Sequence, residues 1–120
     1  MSSVRLPNGE KASVPHAKLS GYLLSETHPV GKSKARLFRS LGFHDNNLDA
    51  LVSELLSLAK EGEVVVAEPS LFGIKYVVEG MVNAPSGGSV RIRSVWIIEK
   101  NSVEPRFVTA YPAPEVREGK

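Results

Sequence analysis

The sequence predicts an α+β fold, in which about three N-terminal helices pack on a four-stranded antiparallel β-sheet meander. Two patterns indicate it. Apolar residues recur at helical spacing up to about residue 60, and short β-branched segments of period two follow up to residue 111. The strand segments have short connections, which favour antiparallel neighbours over parallel strands joined by helices. Helices followed by consecutive strands are typical of the α+β class.

Three segments have the apolar spacing of helices, at residues 15–24, about 31–41 and 48–60. Gly21 weakens the first of them, because glycine is a poor helix former. The second is followed by Gly42, which suits the end of a helix. Residues 45–47, Asp-Asn-Asn, supply an N-cap for the third, which has the strongest amphipathic pattern.

Four segments have the pattern of strands, at residues 63–68, 74–82, 89–99 and 105–111. Alternation along the third places Trp96 among apolar residues on one face and both Arg91 and Arg93 on the other. Trp96 is therefore expected in the core and not in a base-stacking surface. Thr109 and Tyr111 share one face of the last strand. Whether this is also the arginine face depends on the register, which remains open at this point.

The length of 120 residues predicts a single domain, 1–120, with an ordered core at about 5–112 and a flexible tail at 113–120. No apolar run reaches the roughly 18 residues of a membrane-spanning helix, and the first ten residues lack a signal-peptide core. The absence of cysteine excludes disulfides, thiol catalysis and thiolate zinc sites. We expect the protein to act in a cytoplasm, including that of a target cell if a larger effector delivers it.

The net charge is only +2, but it is unevenly distributed. Residues 1–44 contain seven Lys and Arg and two acids, whereas residues 45–88 contain seven acids and two Lys. The basic N-terminal third, together with Arg91 and Arg93, suits a polyanionic partner. A domain that coats nucleic acid without specificity is usually more basic than this one.

One stretch, residues 27–39, contains a histidine, four cations and no acid at a loop-to-helix boundary. The unpaired N–H groups and positive dipole of a helix N-terminus suit a bound phosphate. The alternative is that these cations form the solvent-exposed face of an amphipathic helix. The stretch alone leaves both readings open.

Other kinds of site have no support in the sequence. There is no glycine-rich phosphate loop and no Gly-x-Ser-x-Gly motif. His16, His28 and His44 lie far apart with no carboxylate at metal-ligand spacing, so we expect no metal site and no cofactor. RNA cleavage needs only the groups that are present, because the 2′-hydroxyl is the nucleophile, histidine moves protons, and Lys or Arg stabilises the phosphoryl charge.

Several motifs resemble a small bacterial family that has no assigned function. They are Leu-Pro-Asn-Gly near the start, His28-Pro-Val-Gly-Lys-x-Lys, Tyr76-Val-Val, Trp96-Ile-Ile and Pro105-Arg-Phe-Val-Thr-Ala-Tyr-Pro. The likeness spans residues 5–112, and members of that family occur alone and at the C-termini of polymorphic toxins. The element order and the closing Thr-x-Tyr-Pro are also similar to the wider barnase–EndoU–colicin–RelE (BECR) fold of ribonuclease toxins.

The resemblance implies roles for five residues. His28 would be the proton-transfer group, and Lys34 the cation that stabilises the phosphate or the transition state. Lys32 would assist Lys34, and Thr109 and Tyr111 would orient the phosphate or a base. Each also has a structural alternative: His28 as an ordinary loop histidine, and Thr109 and Tyr111 as exposed strand residues.

The strand positions of Arg93 and Arg91 add them as candidate substrate-binding residues. These observations together predict a metal-independent endoribonuclease of the toxin type, with RNA and a cognate immunity or antitoxin protein as partners. No membrane and no small-molecule cofactor is expected. The alternative is a non-catalytic interaction module that binds a protein or nucleic acid through its basic surface; its binding would weaken steeply with salt.

Overall fold

The computed structural model describes residues 4–19 and 32–113. This part of the chain contains two helices of more than one turn, α1 at Lys32–Ser40 and α2 at Leu48–Glu61. Shorter helical turns lie at Gly9–Lys11, His16–Lys18 and Asp45–Asn47. The α+β prediction is confirmed, but the expected number of about three helices is wrong for the described residues.

The difference lies in the first predicted helix, residues 15–24. Of this segment the structure describes residues 15–19, which contain the three-residue helical turn His16–Lys18, and residues 20–31 lie outside the described part. Just before this turn, Ser13 is extended: its N–H donates to the Pro105 carbonyl, and its own carbonyl accepts from the Phe107 N–H. Short helices are marginal without packing, and Gly21 lowers the helix propensity of the predicted segment further.

Helix α1 buries Ala35 and Phe38 and leaves Arg36 exposed, as its apolar spacing predicts. The chain leaves this helix at Gly42, whose φ of 102° is a left-handed conformation that favours glycine. The Phe38 and Phe43 rings then pack with their centroids 6.3 Å apart. Both rings are fully buried members of the core.

Helix α2 buries Leu51, Leu55, Leu58 and Ala59. Asn47 is its N-cap residue, as predicted, but the Asn47 side chain forms no capping hydrogen bond. Its Oδ1 accepts from the His44 N–H at 2.6 Å, and its Nδ2 donates to the Gly42 carbonyl at 2.9 Å. The asparagine therefore stabilises the turn before the helix.

Four antiparallel strands follow: β1 at Glu63–Ser70, β2 at Gly73–Asn83, β3 at Ser89–Glu99 and β4 at Arg106–Pro112. They pair in sequence order, β1-β2-β3-β4, which confirms the predicted antiparallel meander. The register shifts between Val64 and Val66 of β1, and again opposite Val95 and Trp96 of β3, where Val108 of β4 is the extra residue.

The sheet packs on α2 through its inner face. Leu58 lies so close to Gly80 of β2 that a Cβ at that position would contact the Leu58 side chain. Trp96 is fully buried on this face, as the alternation of β3 predicts, and its ring meets Phe107 edge-on at 5.5 Å. Its indole N–H donates to the Ser94 Oγ at 2.7 Å, so the polar edge of the ring is satisfied inside the core.

No helix of residues 4–19 and 32–113 is long and apolar enough to cross a membrane.

Candidate functional site

A polar cluster crosses three neighbouring strands on the outer face of the sheet, away from Trp96 and Ser94. Glu79 of β2 lies opposite Arg93 of β3, and Arg93 lies opposite Tyr111 of β4. Directly opposed residues on antiparallel strands point to the same side of a sheet. The register therefore answers the question that the sequence left open: the arginine face of β3 and the Thr109/Tyr111 face of β4 coincide.

Two ion pairs converge on the Glu79 carboxylate. Its Oε1 accepts from the Arg93 Nε at 2.8 Å, and its Oε2 accepts from the Arg91 Nη1 at 3.0 Å. The side chains of Glu79 and Arg93 are 16% and 28% exposed, whereas the Arg91 side chain is 58% exposed. Arg93 is therefore held in place by the protein, and Arg91 extends toward solvent.

Tyr111 completes the cluster from the neighbouring strand. The hydrogen bond from Arg93 to Glu79 is the main cause that raises the pKa of Arg93 above its ordinary value, and the phenol of Tyr111 contributes in the same direction. Arg93 thus lies between a carboxylate on one side and a phenol on the other. We name Glu79, Arg91, Arg93 and Tyr111 the outer-face cluster.

The same contacts lower the pKa of Glu79 below its ordinary value of 4.5, chiefly through the hydrogen bond from Arg93. A carboxylate with a lowered pKa stabilises the folded state at pH values above the unfolded-state pKa. That contribution is lost as the pH falls below 4.5 and through the folded-state pKa.

Replacing Glu79 by glutamine removes this pH-dependent contribution to stability. The difference in unfolding free energy between wild type and Glu79→Gln should therefore stay level from about pH 7 to pH 5 and shrink below pH 4.5. Urea unfolding at a series of pH values measures it. The matched Glu99→Gln variant loses an ion pair to Arg106 whose side chains are about half exposed, and we expect a smaller effect from it because solvent screens the pair. A pH-independent difference for Glu79→Gln would contradict the assignment.

The sequence-predicted site residues are distributed as follows. Arg91, Arg93, Thr109 and Tyr111 lie on one face of the sheet, with Thr109 opposite the buried Val95. Lys32 and Lys34 lie in the first turn of α1, and the side chains of these two lysines are not described. His28 lies outside the described residues. Whether the basic stretch meets the last strand therefore stays a prediction.

Glu79 is the member of the cluster that sequence reasoning missed. It lies in a strand segment with no other acid, between Val78 and Gly80, so its charge carried no recognisable motif. A signal was available in the alternation of β2, which places it on the face opposite the buried Val78. Its pairing with Arg93 follows only from the register.

The cluster contains the kind of donors that can bind an anion. Two guanidinium groups share one carboxylate, and guanidinium donors match the oxygens of a phosphate. In residues 4–19 and 32–113, no three side chains among His, Asp and Glu are placed to hold one metal ion. The described groups suit charge stabilisation and orientation of a bound phosphate.

The chain is similar to a protein family and to a chain of a solved structure. No curated protein matches the chain. A solved structure, the contact-dependent growth inhibition toxin–immunity protein complex from Klebsiella pneumoniae 342, contains a chain with the same fold: the TM-score is 0.69 at 19% identity, over 89% of this chain and 97% of that one. A family model, domain of unknown function (DUF6883), matches residues 5–114. The chain therefore belongs to the DUF6883 family.

Proposed function

We propose that this protein is a metal-independent endoribonuclease of the toxin type, and that the outer face of its sheet binds the scissile phosphate. The observation that carries the proposal is the outer-face cluster, in which Arg93 is held between Glu79 and Tyr111 and Arg91 remains largely exposed. Preorganised donors of this kind stabilise charge that develops in a transition state.

The reaction requires little beyond such donors. The 2′-hydroxyl of the substrate attacks the neighbouring phosphorus and loses its proton, the bond from phosphorus to the 5′-oxygen breaks, and that oxygen gains a proton. The products are a 2′,3′-cyclic phosphate and a 5′-hydroxyl. In our proposal His28 moves the protons and Lys34, assisted by Lys32, stabilises the phosphoryl charge. Thr109 and Tyr111 orient the phosphate or a base.

A toxin context is part of the same proposal. Supporting observations are the likeness to a chain of a toxin–immunity protein complex and the element order that resembles the BECR ribonuclease toxins. We infer that the domain occurs alone or at the C-terminus of a longer effector that delivers it into a target-cell cytoplasm. A cognate immunity protein would then protect the producing cell.

The test uses a short RNA oligonucleotide incubated with the purified full chain in EDTA. We expect cleavage that leaves a 2′,3′-cyclic phosphate, and we expect a single 2′-deoxy substitution to abolish cleavage at that position only. The all-DNA oligonucleotide should stay intact. RNA that remains at the level of the protein-free control, or DNA that is cut equally well, would refute the ribonuclease proposal.

A second candidate is a non-catalytic module that binds a protein partner. Two observations favour it. Leu71 and Phe72, at the turn between β1 and β2, are 82% and 74% exposed, and large exposed apolar side chains at one place are typical of interaction surfaces. The similar chain also belongs to a complex between a toxin and an immunity protein, so that chain is a member of a protein–protein complex. This candidate predicts no cleavage and a loss of partner binding in Phe72→Ser.

A further inference from the structure

We propose that Glu79 determines which phosphate the site accepts, by setting the charge of the outer-face cluster to match a phosphodiester and to disfavour a phosphomonoester. The inference rests on the proposed function, because it takes the outer-face cluster to be the phosphate site. It adds a role for a residue that the proposed reaction does not otherwise use.

The argument starts from the charges. Arg91 and Arg93 contribute two positive charges, and Glu79 contributes one negative charge. The net charge of the cluster is thus +1. An internal phosphodiester has one negative charge, whereas a phosphomonoester at neutral pH has about −1.5 to −2. The first ligand neutralises the cluster, and the second leaves an excess of negative charge beside Glu79.

Glu79 cannot easily move away from such a ligand. Its carboxylate is bound by two guanidinium groups, its side chain is 16% exposed, and it is part of the central strand pair of the sheet. A phosphate on other donors of the same guanidinium groups would be separated from the carboxylate by no more than the width of one guanidinium, so the two negative charges would repel each other.

The neighbouring strand adds to the same effect. Glu63 of β1 lies opposite Glu79 in the register and is exposed. It places a second negative charge on the side of Glu79 that faces away from Arg93. Because solvent screens an exposed charge, we expect the contribution of Glu63 to be smaller than that of Glu79.

Arg91 and Arg93 have different parts in this arrangement. A guanidinium has five N–H donors, so Arg93 can donate its Nε–H to Glu79, interact with the Tyr111 phenol and still offer a donor to a ligand. The Arg91 side chain is 58% exposed. Both can therefore contact a ligand while the bond from Arg93 to Glu79 persists. Binding of the diester needs no rearrangement of the carboxylate.

The experiment compares two non-cleavable ligands at pH 8: a 2′-O-methyl dinucleotide with one phosphodiester and no terminal phosphate, and the corresponding 2′-O-methyl nucleoside 5′-monophosphate. Dissociation constants are measured by calorimetry for the full chain and for Glu79→Gln. We expect wild type to favour the diester, and we expect the variant to shift the ratio of the two constants about three- to tenfold toward the monoester. Glutamine keeps the size and an acceptor oxygen, so the change isolates the charge.

Glu99→Gln is the matched control, because Glu99 pairs with Arg106 at 2.8 Å elsewhere on the sheet. It should leave the ratio unchanged. An unchanged ratio in folded Glu79→Gln, an equal shift in Glu99→Gln, or wild type that binds neither ligand would overturn the inference. Because neither ligand is cleaved, the outcome is separate from the ribonuclease test: charge selection without RNA cleavage would refute the proposed enzyme and leave the selectivity of the site standing.

Discussion

Replacing Arg93 by glutamine is expected to lower the rate of RNA cleavage by about 100-fold or more, because one preorganised donor to a developing phosphoryl charge is removed. Arg93 is suited to this role because Glu79 and Tyr111 hold its guanidinium from both sides. Single-turnover rates on an RNA oligonucleotide measure the effect on chemistry. The variant should remain folded, since Arg91 still pairs with Glu79.

The control is Arg106→Gln, which removes an arginine from a comparable ion pair with Glu99. We expect this variant to cleave RNA at nearly the wild-type rate and to unfold at a similar temperature. His28→Ala and Lys34→Ala should each reduce cleavage, because proton transfer and charge stabilisation are assigned to them. Equal rates for wild type and Arg93→Gln, or an equal loss in Arg106→Gln, would show that the outer-face cluster is not the catalytic surface.

Replacing Trp96 by alanine is expected to lower the unfolding free energy by about 3–5 kcal/mol. The side chain is fully buried, packs edge-on against Phe107 at 5.5 Å, and donates to the Ser94 hydroxyl. Its removal leaves a large cavity and deprives Ser94 of its donor. Small domains are stable by only about 5–15 kcal/mol, so this one change removes much of the total. Urea unfolding followed by circular dichroism measures it.

Trp96→Phe separates the two contributions, because phenylalanine keeps an aromatic ring and lacks the indole N–H. We expect a loss between those of wild type and Trp96→Ala. Val103→Ala, at a side chain that is 58% exposed, is the control and should change stability by less than about 0.5 kcal/mol. A loss of under about 1 kcal/mol for Trp96→Ala would contradict the position of this ring in the core.

Local patterns were enough to predict most of the elements. The third strand was expected at residues 89–99 and is observed at Ser89–Glu99, and the last helix was expected at residues 48–60 and is observed at Leu48–Glu61. In both segments the apolar residues recur at regular spacing over many residues, which makes the type of element easy to predict. The predicted helix at residues 15–24 has a short, glycine-interrupted period, and its described part, residues 15–19, contains the helical turn His16–Lys18.

The candidate site depended more on tertiary structure. The sequence selected Arg91, Arg93, Thr109 and Tyr111, because alternation along a strand assigns side chains to faces. The sequence could not predict the register between neighbouring strands. A shift of one residue in the pairing of β3 with β4 would have placed Tyr111 on the face away from Arg93. The register shift opposite Val95 and Trp96 determines that relation. A bulge of this kind has no fixed sequence signature.

Periodicity within single segments was sufficient to predict the fold class, the four strands and the face on which each arginine lies. The positions of Glu79 opposite Arg93 and of Arg93 opposite Tyr111, through which three strands contribute to one cluster, became known from the folded structure. They depend on the register, which is set by hydrogen bonds and side-chain packing between strands. Those interactions bring together residues that are as far apart in the sequence as Glu79 and Tyr111. A pattern within one segment therefore cannot predict them.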